Sequence, residues 1–564
     1  MEENKNLILA LVLSVLVFIG WQHFFEPAPE DLPAPSARQN REQKPVERTA
    51  QAPGLPHASV PKDLPPSPRV RIEAPQLAGS LALRGALLDD MVLNRFRQSV
   101  QPECAPVRLL SEPTQERPFF IRLGWRSQKK ELALPDETTV WATSSPVLTP
   151  EKPVTLTWKN AQGVIFERVI SVDRNFLLTV RQRLLNKSGT PLTVQAFASI
   201  EGQASPEVKG QWVVHEGAVG FLNGRLEEKS FEDLQKGPPA SFSGTGGWAG
   251  ITEKYWLVAF LTDAATSQKT TYRYHEDRQR YEVETQEEDV TVPSEGTLES
   301  VTHFYIGAKD VQLLDGYESQ LGVKHFDLAI DFGYFYFLTR PLFYALVYMK
   351  NLLEGHMGGC IIILTILIKL LLFPLANKSY RSMSRMRRIQ PQVQEVQNRY
   401  KEDKERLSQE LMALYKKEHV NPVGGCLPQL IQFPVLFALY KVFLVSIDMR
   451  HAPLWWVKDL SAPDPLWITN AFGWIAWTPT EFLQIGIWPL LMGITGLIQQ
   501  KMSPPPADPA QAKMFLLMPV MFTFMLAQLP AGLVMYWTWS NVLSIVQQWI
   551  ITRIEERRQL RSKA

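Results

Sequence analysis

The chain has 564 residues, and its 59 Lys+Arg nearly balance its 57 Asp+Glu. That balance singles out no acidic or basic macromolecular partner, and the length allows two or more domains. Three distant cysteines (Cys104, Cys360 and Cys426) give no disulfide framework and no CxxC metal pair. GxxxxGK[ST], HExxH and GxSxG are all absent, so no cofactor, metal or catalytic group is expected and any energy source lies outside the chain.

Leu7–Phe25 is long and apolar enough to span a bilayer. It is followed by "WQHFFEPAPE" rather than a small-x-small cleavage site, so residues 1–25 read as an uncleaved anchor. Residues 26–68 carry recurrent prolines from Pro27 to Pro68 and read as an extended tether. Residues 69–325 change character. Short alternating runs such as "VTLTW" (154–158), "VIFERVISV" (164–172) and "FLLTVRQRLLN" (176–186) are separated by Gly, Asn, Pro and Ser. This is the pattern of a large antiparallel β-sandwich. His215, His275 and His303 lie in it without ligand-like spacing. "DVQLLDGYESQLG" (310–322) reads as a short helix leading to the membrane. Residues 326–356 include the aromatic-rich "FGYFYFLTRPLFYALVYMKNLLE" (332–354), read as an amphipathic helix on the membrane surface. A seventh span there is the rival reading, but it would place the basic loop downstream on the outer side.

Residues 357–552 hold the remaining apolar stretches: Gly358–Ala376, Leu427–Ile447, Phe482–Ile498 and Met514–Ile551. "LPAG" (529–532) divides the last into two helices, making six spans with the anchor. Between the second and third spans, residues 378–420 form two amphipathic helical patterns in a hairpin, with Pro391 expected to kink or restart the first. This loop is rich in Lys and Arg (Lys378, Arg381, Arg385, Arg387, Arg388), as is the tail 553–564. The positive-inside rule therefore puts the hairpin and both termini in the cytoplasm and the β-domain outside, which in a bacterium means the periplasmic side of the inner membrane. The hairpin suits either anionic lipid headgroups or a docked partner such as ribosomal RNA.

Lys369 interrupts "CIIILTILIKLLLFPL" (360–375). Side chains lean toward a helix's N-terminus, which carries this lysine away from the near cytoplasmic face and disfavours snorkelling. Thr365 lies one turn earlier on its face, Gln429 and Gln432 share a face of span three, and Tyr536, Ser540, Ser544 and Gln547 form a stripe on span six. A lysine with converging polar stripes and no acidic residue at its depth implies a hydrated cavity suited to a guest anion. Lys441 is a second intramembrane cation whose face the pattern leaves open.

Four segments carry a family resemblance: "FPLANKSYRSMSRMRRIQPQVQEVQ", "LSQELMALYKKEHVNPVGGCLPQLIQFPVLFALY" (407–440), "IQQKMSP" (498–504) and "LPAGLVMYWTWSNVLSIVQQ" (529–548). They resemble the YidC membrane protein insertases of Gram-negative bacteria, within the wider Oxa family. The resemblance implies a multi-domain membrane protein: six transmembrane α-helices plus a large periplasmic antiparallel β-sandwich of supersandwich type. It implies a hydrophilic groove whose central cation falls on Lys369. Thr365 matches a neighbouring groove position. Phe433, Leu436, Tyr536 and Trp537 match positions facing the substrate helix, and Tyr334 and Tyr336 match interfacial aromatics. Implied partners are nascent membrane proteins, the Sec translocon and the ribosome, reached through the hairpin and tail. The expectation is a membrane insertase and chaperone, not an enzyme. The alternatives are a small-solute transporter with a periplasmic sensing domain, disfavoured by the missing inverted repeats and carboxylate pair, and a sugar enzyme on the sandwich, which lacks an acid/base pair.

Overall fold

The computed structural model describes residues 67–101, 103–128, 132–204, 214–400, 403–418, 420, 427–480, 483–503 and 509–563, without the side chains of 404, 427–431, 509–511 and 558–563. The expected anchor at 1–25, the tether up to its last two residues, and the Gln429 side chain lie outside the described residues. The chain divides into two units, residues 1–58 with 505–515 and residues 59–504 with 516–564. Of the first, only the helical residues 509–515 are described; the second holds every described strand and the remaining helices.

Alternation builds the β-rich part. Val164–Val172 buries every other side chain, and the strands Val154–Lys159 and Leu177–Asn186 flank it antiparallel. Arg168 occupies one inward position; it is 2% exposed. Its guanidinium is accommodated by the carbonyls of Gly85, Ala86 and Leu123 and stacks on Trp141 at 4.6 Å. The strand Trp256–His275 organises the sheets. Through Leu257–Thr262 and Ser267–Tyr272 it pairs with Ala240–Thr252, with a bulge between Thr245 and Gly247. Its first six residues also pair with Thr297–Ala308, which continues the sheet through Leu177–Asn186. Its last eight pair instead with Arg280–Glu287, which leads through Leu192–Gly202 to Phe119–Arg126. One strand thus belongs to two diverging series, and the apolar sides of both feed one core that includes Trp248, Phe260 and Phe304.

The helices are α1 (Phe231–Lys236), α2 (Val311–Leu321), α3 (Tyr336–Leu352), α4 (Met357–Arg399), α5 (Lys404–Lys417), α6 (Leu427–Val445), α7 (Ile487–Met502), α8 (Pro509–Leu526) and α9 (Ala531–Lys563). The expected helix at 310–322 is α2. Asp310 caps it by accepting from Gln312 N–H, and Gly322 ends it at φ 67°. The "LPAG" stretch separates α8 from α9 as expected. Among the described residues α4 is the one helix both long and apolar enough to cross a membrane; the apolar stretches Gln432–Val445 and Ala512–Leu526 are shorter.

Of the two outcomes expected at Pro391, a kink or a restart, the restart does not occur. Span two and the first hairpin helix are one 43-residue helix, α4, that continues through Pro374 and Pro391. A helix interior tolerates a proline when its neighbours hold the remaining backbone bonds, and here the turn comes instead just before Asp403, which caps α5 by accepting from Arg406 N–H. Ile389, Val393 and Val420 are buried together with Met386, Leu411 and Leu414 packed on them. Met383 takes no part in that small core.

Candidate functional site

Lys369 sits one residue beyond the stripe Met357, Cys360, Ile361, Leu364, Thr365 and Ile368, which α4 buries against its neighbours. The opposite face exposes Ile363, Ile366, Leu367, Leu370 and Leu371. The lysine therefore sits at the boundary between helix packing and an apolar outer surface, half-buried.

Its ammonium reaches neutral oxygens. Nζ donates to Ser544 Oγ at 2.8 Å and approaches Gln432 Oε1 at 3.5 Å. The first is a full hydrogen bond and the second lies at the limit of one. Gln432 in turn donates from Nε2 to the Tyr536 hydroxyl at 2.6 Å. Three helices, α4, α6 and α9, are tied together by this chain of polar contacts. Among the described residues Lys369 enters no ion pair. It lines a cavity of about 90 Å³ together with Gln432, Gln499, Trp537, Ser540 and Gln547. Gln547 Nε2 and Gln548 Oε1 are buried without a protein partner and present hydrogen-bonding atoms at its wall. On its other side Lys369 also borders an apolar slot of about 320 Å³ between α4 and α9, lined by Leu370, Phe373, Val546 and Ile550 among others.

The structure brings together only some of the residues named from sequence. Lys369, Gln432, Trp537 and Ser540 line the cavity, and Tyr536 joins through Gln432. Thr365 does not: it is fully buried and its hydroxyl donates to the Ile361 carbonyl of its own helix at 2.6 Å. Phe433 is exposed and Leu436 half-buried, and neither lines the cavity. Tyr334 is 80% exposed just before α3, and Tyr336 opens that helix. Ser544 stood in the polar stripe of span six but was not singled out, although it holds the shortest contact to Lys369. Tyr380, Gln499 and Asn541 also line the cavity and were missed. Asn541 was legible as a polar residue one step from Ser540; Tyr380 lies beyond the apolar run and carried no signal.

Lys441, whose face was left open, is paired. Its Nζ lies 2.7 Å from Asp331 Oδ2. The same oxygen accepts from the His215 backbone N–H at 2.9 Å, and Oδ1 accepts from Gly333 N–H. Gly333 has φ 69°, and a Cβ there would lie 2.7 Å from Lys441 Cε, so glycine both makes the turn and lets the lysine stem pass. Burial raises the Asp331 carboxyl, but the Lys441 ammonium and the hydrogen bonds outweigh it and hold it below the usual range. This joint ties the β-domain, the segment before α3, and α6.

The β-domain histidines are likewise accounted for. His275 contacts Glu282 at 2.7 Å, His303 contacts Thr179 at 2.9 Å, and the His215 ring contacts the Ala218 carbonyl. Among the described residues no group of His, Cys, Asp and Glu could hold a metal.

Two family models match the chain: the 60Kd inner membrane protein over residues 348–558 and the YidC periplasmic domain over residues 69–345. The chain is 43% identical to the membrane protein insertase YidC of Beijerinckia indica, covering 98% of this chain and 96% of that one. It is 41% identical to the membrane protein insertase YidC of Rickettsia bellii, covering 98% and 99%. A solved structure described as an active YidC insertase with its first transmembrane domain resolved is 15% identical, covers 85% of this chain and 93% of that chain, and superposes with a TM-score of 0.35.

Proposed function

The chain belongs to the YidC family of membrane protein insertases, and from that premise we propose how its own residues carry out insertion. It is an inner-membrane protein with a large β-rich domain and a helical C-terminal region, and it acts on membrane proteins. We read it as six spans with both termini cytoplasmic and with the β-domain, a sandwich, in the periplasm.

The observation that carries the mechanism is the environment of Lys369. The ammonium has three donors; one is engaged by Ser544 and a second only loosely by Gln432. A client carboxylate offers a charge-assisted bond roughly twice as strong as a bond to a neutral acceptor. Lys369 thus attracts the polar or acidic outer tail of a nascent helix. It releases that tail readily, because Ser544 and Gln432 re-form their own bonds to the ammonium. The client's apolar segment then leaves along the protein–lipid boundary past Phe433 and Leu436. The driving force is its own burial in lipid, at about 25 cal/mol per Å², aided by the membrane potential acting on acidic tails. Thr365 serves beside Lys369 as a small packed residue. The interfacial aromatics Tyr334 and Tyr336 seat α3 at the membrane surface. The hairpin and the basic tail offer the ribosome and anionic lipids a cationic face, and the Sec translocon is a further partner.

Insertion of an acidic-tailed client into vesicles carrying the purified protein tests this reading. Lys369→Arg keeps the charge and is expected to insert at near wild-type rate. Lys369→Glu is expected to lose most activity toward acidic tails while a client with an uncharged tail suffers less. Equal performance by Lys369→Glu on acidic tails would refute the electrostatic role.

A further inference from the structure

Between α6 and α7 the chain makes an excursion, residues 446–486, on the side where the β-domain lies. Arg450 Nη2 donates to the Gln98 carbonyl at 3.1 Å and stacks on Trp256 at 5.3 Å. The base of this excursion is built to be stiff. Trp455, Trp456 and Trp488 stack on one another with centroids 5.5–6.0 Å apart. Asp464, 2% exposed, accepts from the Trp456 indole, from Leu466 N–H and from Trp488 N–H, the last at the entry to α7. Ile468 N–H bonds to the Ile485 carbonyl, and Trp467 bridges to Gly486, so the two limbs run side by side.

The tip turns that stiffness outward. Ala471 and Phe472 both hold φ in the left-handed region, at 51° and 61°, a conformation disfavoured for residues with a Cβ. The Asn470 side chain braces the turn by accepting from Gly473 N–H. The outcome is a cluster of apolar side chains left uncovered: Trp474 is 92% exposed, Ile475 55%, and Phe472 and Trp477 each 48%. There is no Asp, Glu, Lys or Arg between Asp464 and Glu481. An exposed apolar cluster of this kind marks an interaction site. The limbs of the excursion run directly into α6 and α7, whose outer faces expose Phe437 and Ile494. If those helices span the bilayer, their outer ends fix the tip at the level where tryptophan is preferred, between acyl chains and headgroups.

We propose that the tip Asn470–Trp477 is a membrane anchor, seated in the headgroup region of the leaflet on the β-domain's side, with lipid as its occupant. This rests on the reading of α6 and α7 as spans. The lack of charge and the aromatic content favour lipid over a protein partner, for which a polar rim around the apolar centre is the common pattern.

The experiment uses the full chain with its three cysteines replaced, reconstituted in phosphatidylcholine–phosphatidylglycerol vesicles. A single cysteine at Trp474→Cys, Ile494→Cys or Glu295→Cys carries an environment-sensitive fluorophore; Glu295 is an exposed β-domain turn residue. The anchor predicts that the label at 474 is quenched by lipids brominated high on their acyl chains. It also predicts a several-fold smaller quenching constant for aqueous iodide at 474 than at 295. A label at 474 that iodide reaches as freely as at 295, while 494 is quenched by deeply brominated lipid, overturns the anchor and leaves the spans intact. A label at 494 open to iodide overturns the span reading itself. Shielding at 474 that appears only after a client-bearing ribosome or translocon is added assigns the tip to a protein and also overturns the anchor.

Discussion

Lys309 is 1% exposed at the end of the strand Thr297–Ala308, with Nζ donating to Thr252 Oγ1 at 3.0 Å. Burial pulls its pKa from 10.5 down to about 8, against the opposing pull of Asp331, Glu216 and Glu253, while Lys441 adds to the depression. The unfolded chain therefore binds the proton more tightly than the folded one. Below pH 8 the buried charge costs about 3 kcal/mol. Between about pH 8 and 10.5 that cost is relieved as the lysine loses its proton, so this residue makes stability rise with pH there. Thermal unfolding of wild type and Lys309→Met, followed by near-ultraviolet dichroism from pH 7 to 10, is expected to show the wild type gaining on the variant across that window. A constant difference across that range would contradict the buried-charge account. Lys309 carried no sequence signal, because nothing local distinguishes it from a solvated lysine at a strand end. Lys369 was legible because an apolar run surrounds it. Lys441 was visible as a cation, but its partner Asp331 lies 110 residues away and only the fold joins them.

Elements were legible where a local rule decides them. The strand Val164–Val172 follows from alternation and α2 from its cap and terminal glycine. The continuity of α4 through Pro391 was not legible, since packing of Ile389 and Val393 against α5 outweighs the proline's local preference. Packing between α7 and α8 depends on a feature equally hidden in sequence. A Cβ at Gly493 would overlap Thr523 Oγ1, whose hydroxyl is fixed by donating to the Pro519 carbonyl at 2.9 Å. At Gly496 the nearest atom, Pro519 Cβ, would be 3.2 Å away. Small residues of this sort let helices approach closely. Gly493→Leu is expected to cost about 1–3 kcal/mol by overpacking, and Gly496→Ala distinctly less. Unfolding in detergent with increasing denaturant measures both; equal losses would remove the close-approach argument.

At the scale of the whole molecule, one buried apolar cluster runs from the β-domain into the C-terminal helices, and Asp331 with Lys441 and Arg450 with Gln98 add polar links between them. The β-rich character of the large domain could be read from sequence, as could the helical C-terminal region. The sharing of Trp256–His275 between two strand series could not, because it depends on partners far apart in the chain. Asp331 belongs by contact to both the β-domain and α6, so the boundary that matters for function lies before it. A chain lacking residues 70–308 but keeping Asp331 is expected to retain insertion, since Lys441 keeps its counter-ion. Extending the deletion through residue 335 is expected to abolish insertion by leaving Lys441 without Asp331. Insertion assays in vesicles on both truncations compare them directly, and equal activity would show that the joint is dispensable. α4 has a mechanical consequence of its own. Its 43 residues make a rod about 65 Å long, roughly twice the hydrocarbon thickness. Arg399 lies about 45 Å along it from Lys369, so a tilt of about 5° at the cavity swings the far end by about 4 Å. Pro374, between the two, removes a backbone bond and makes a compliant joint at that point. A change of bend of about 5° at Pro374, about 37 Å from Arg399 along the helix, therefore displaces the hairpin by about 3 Å while Lys369 stays in place.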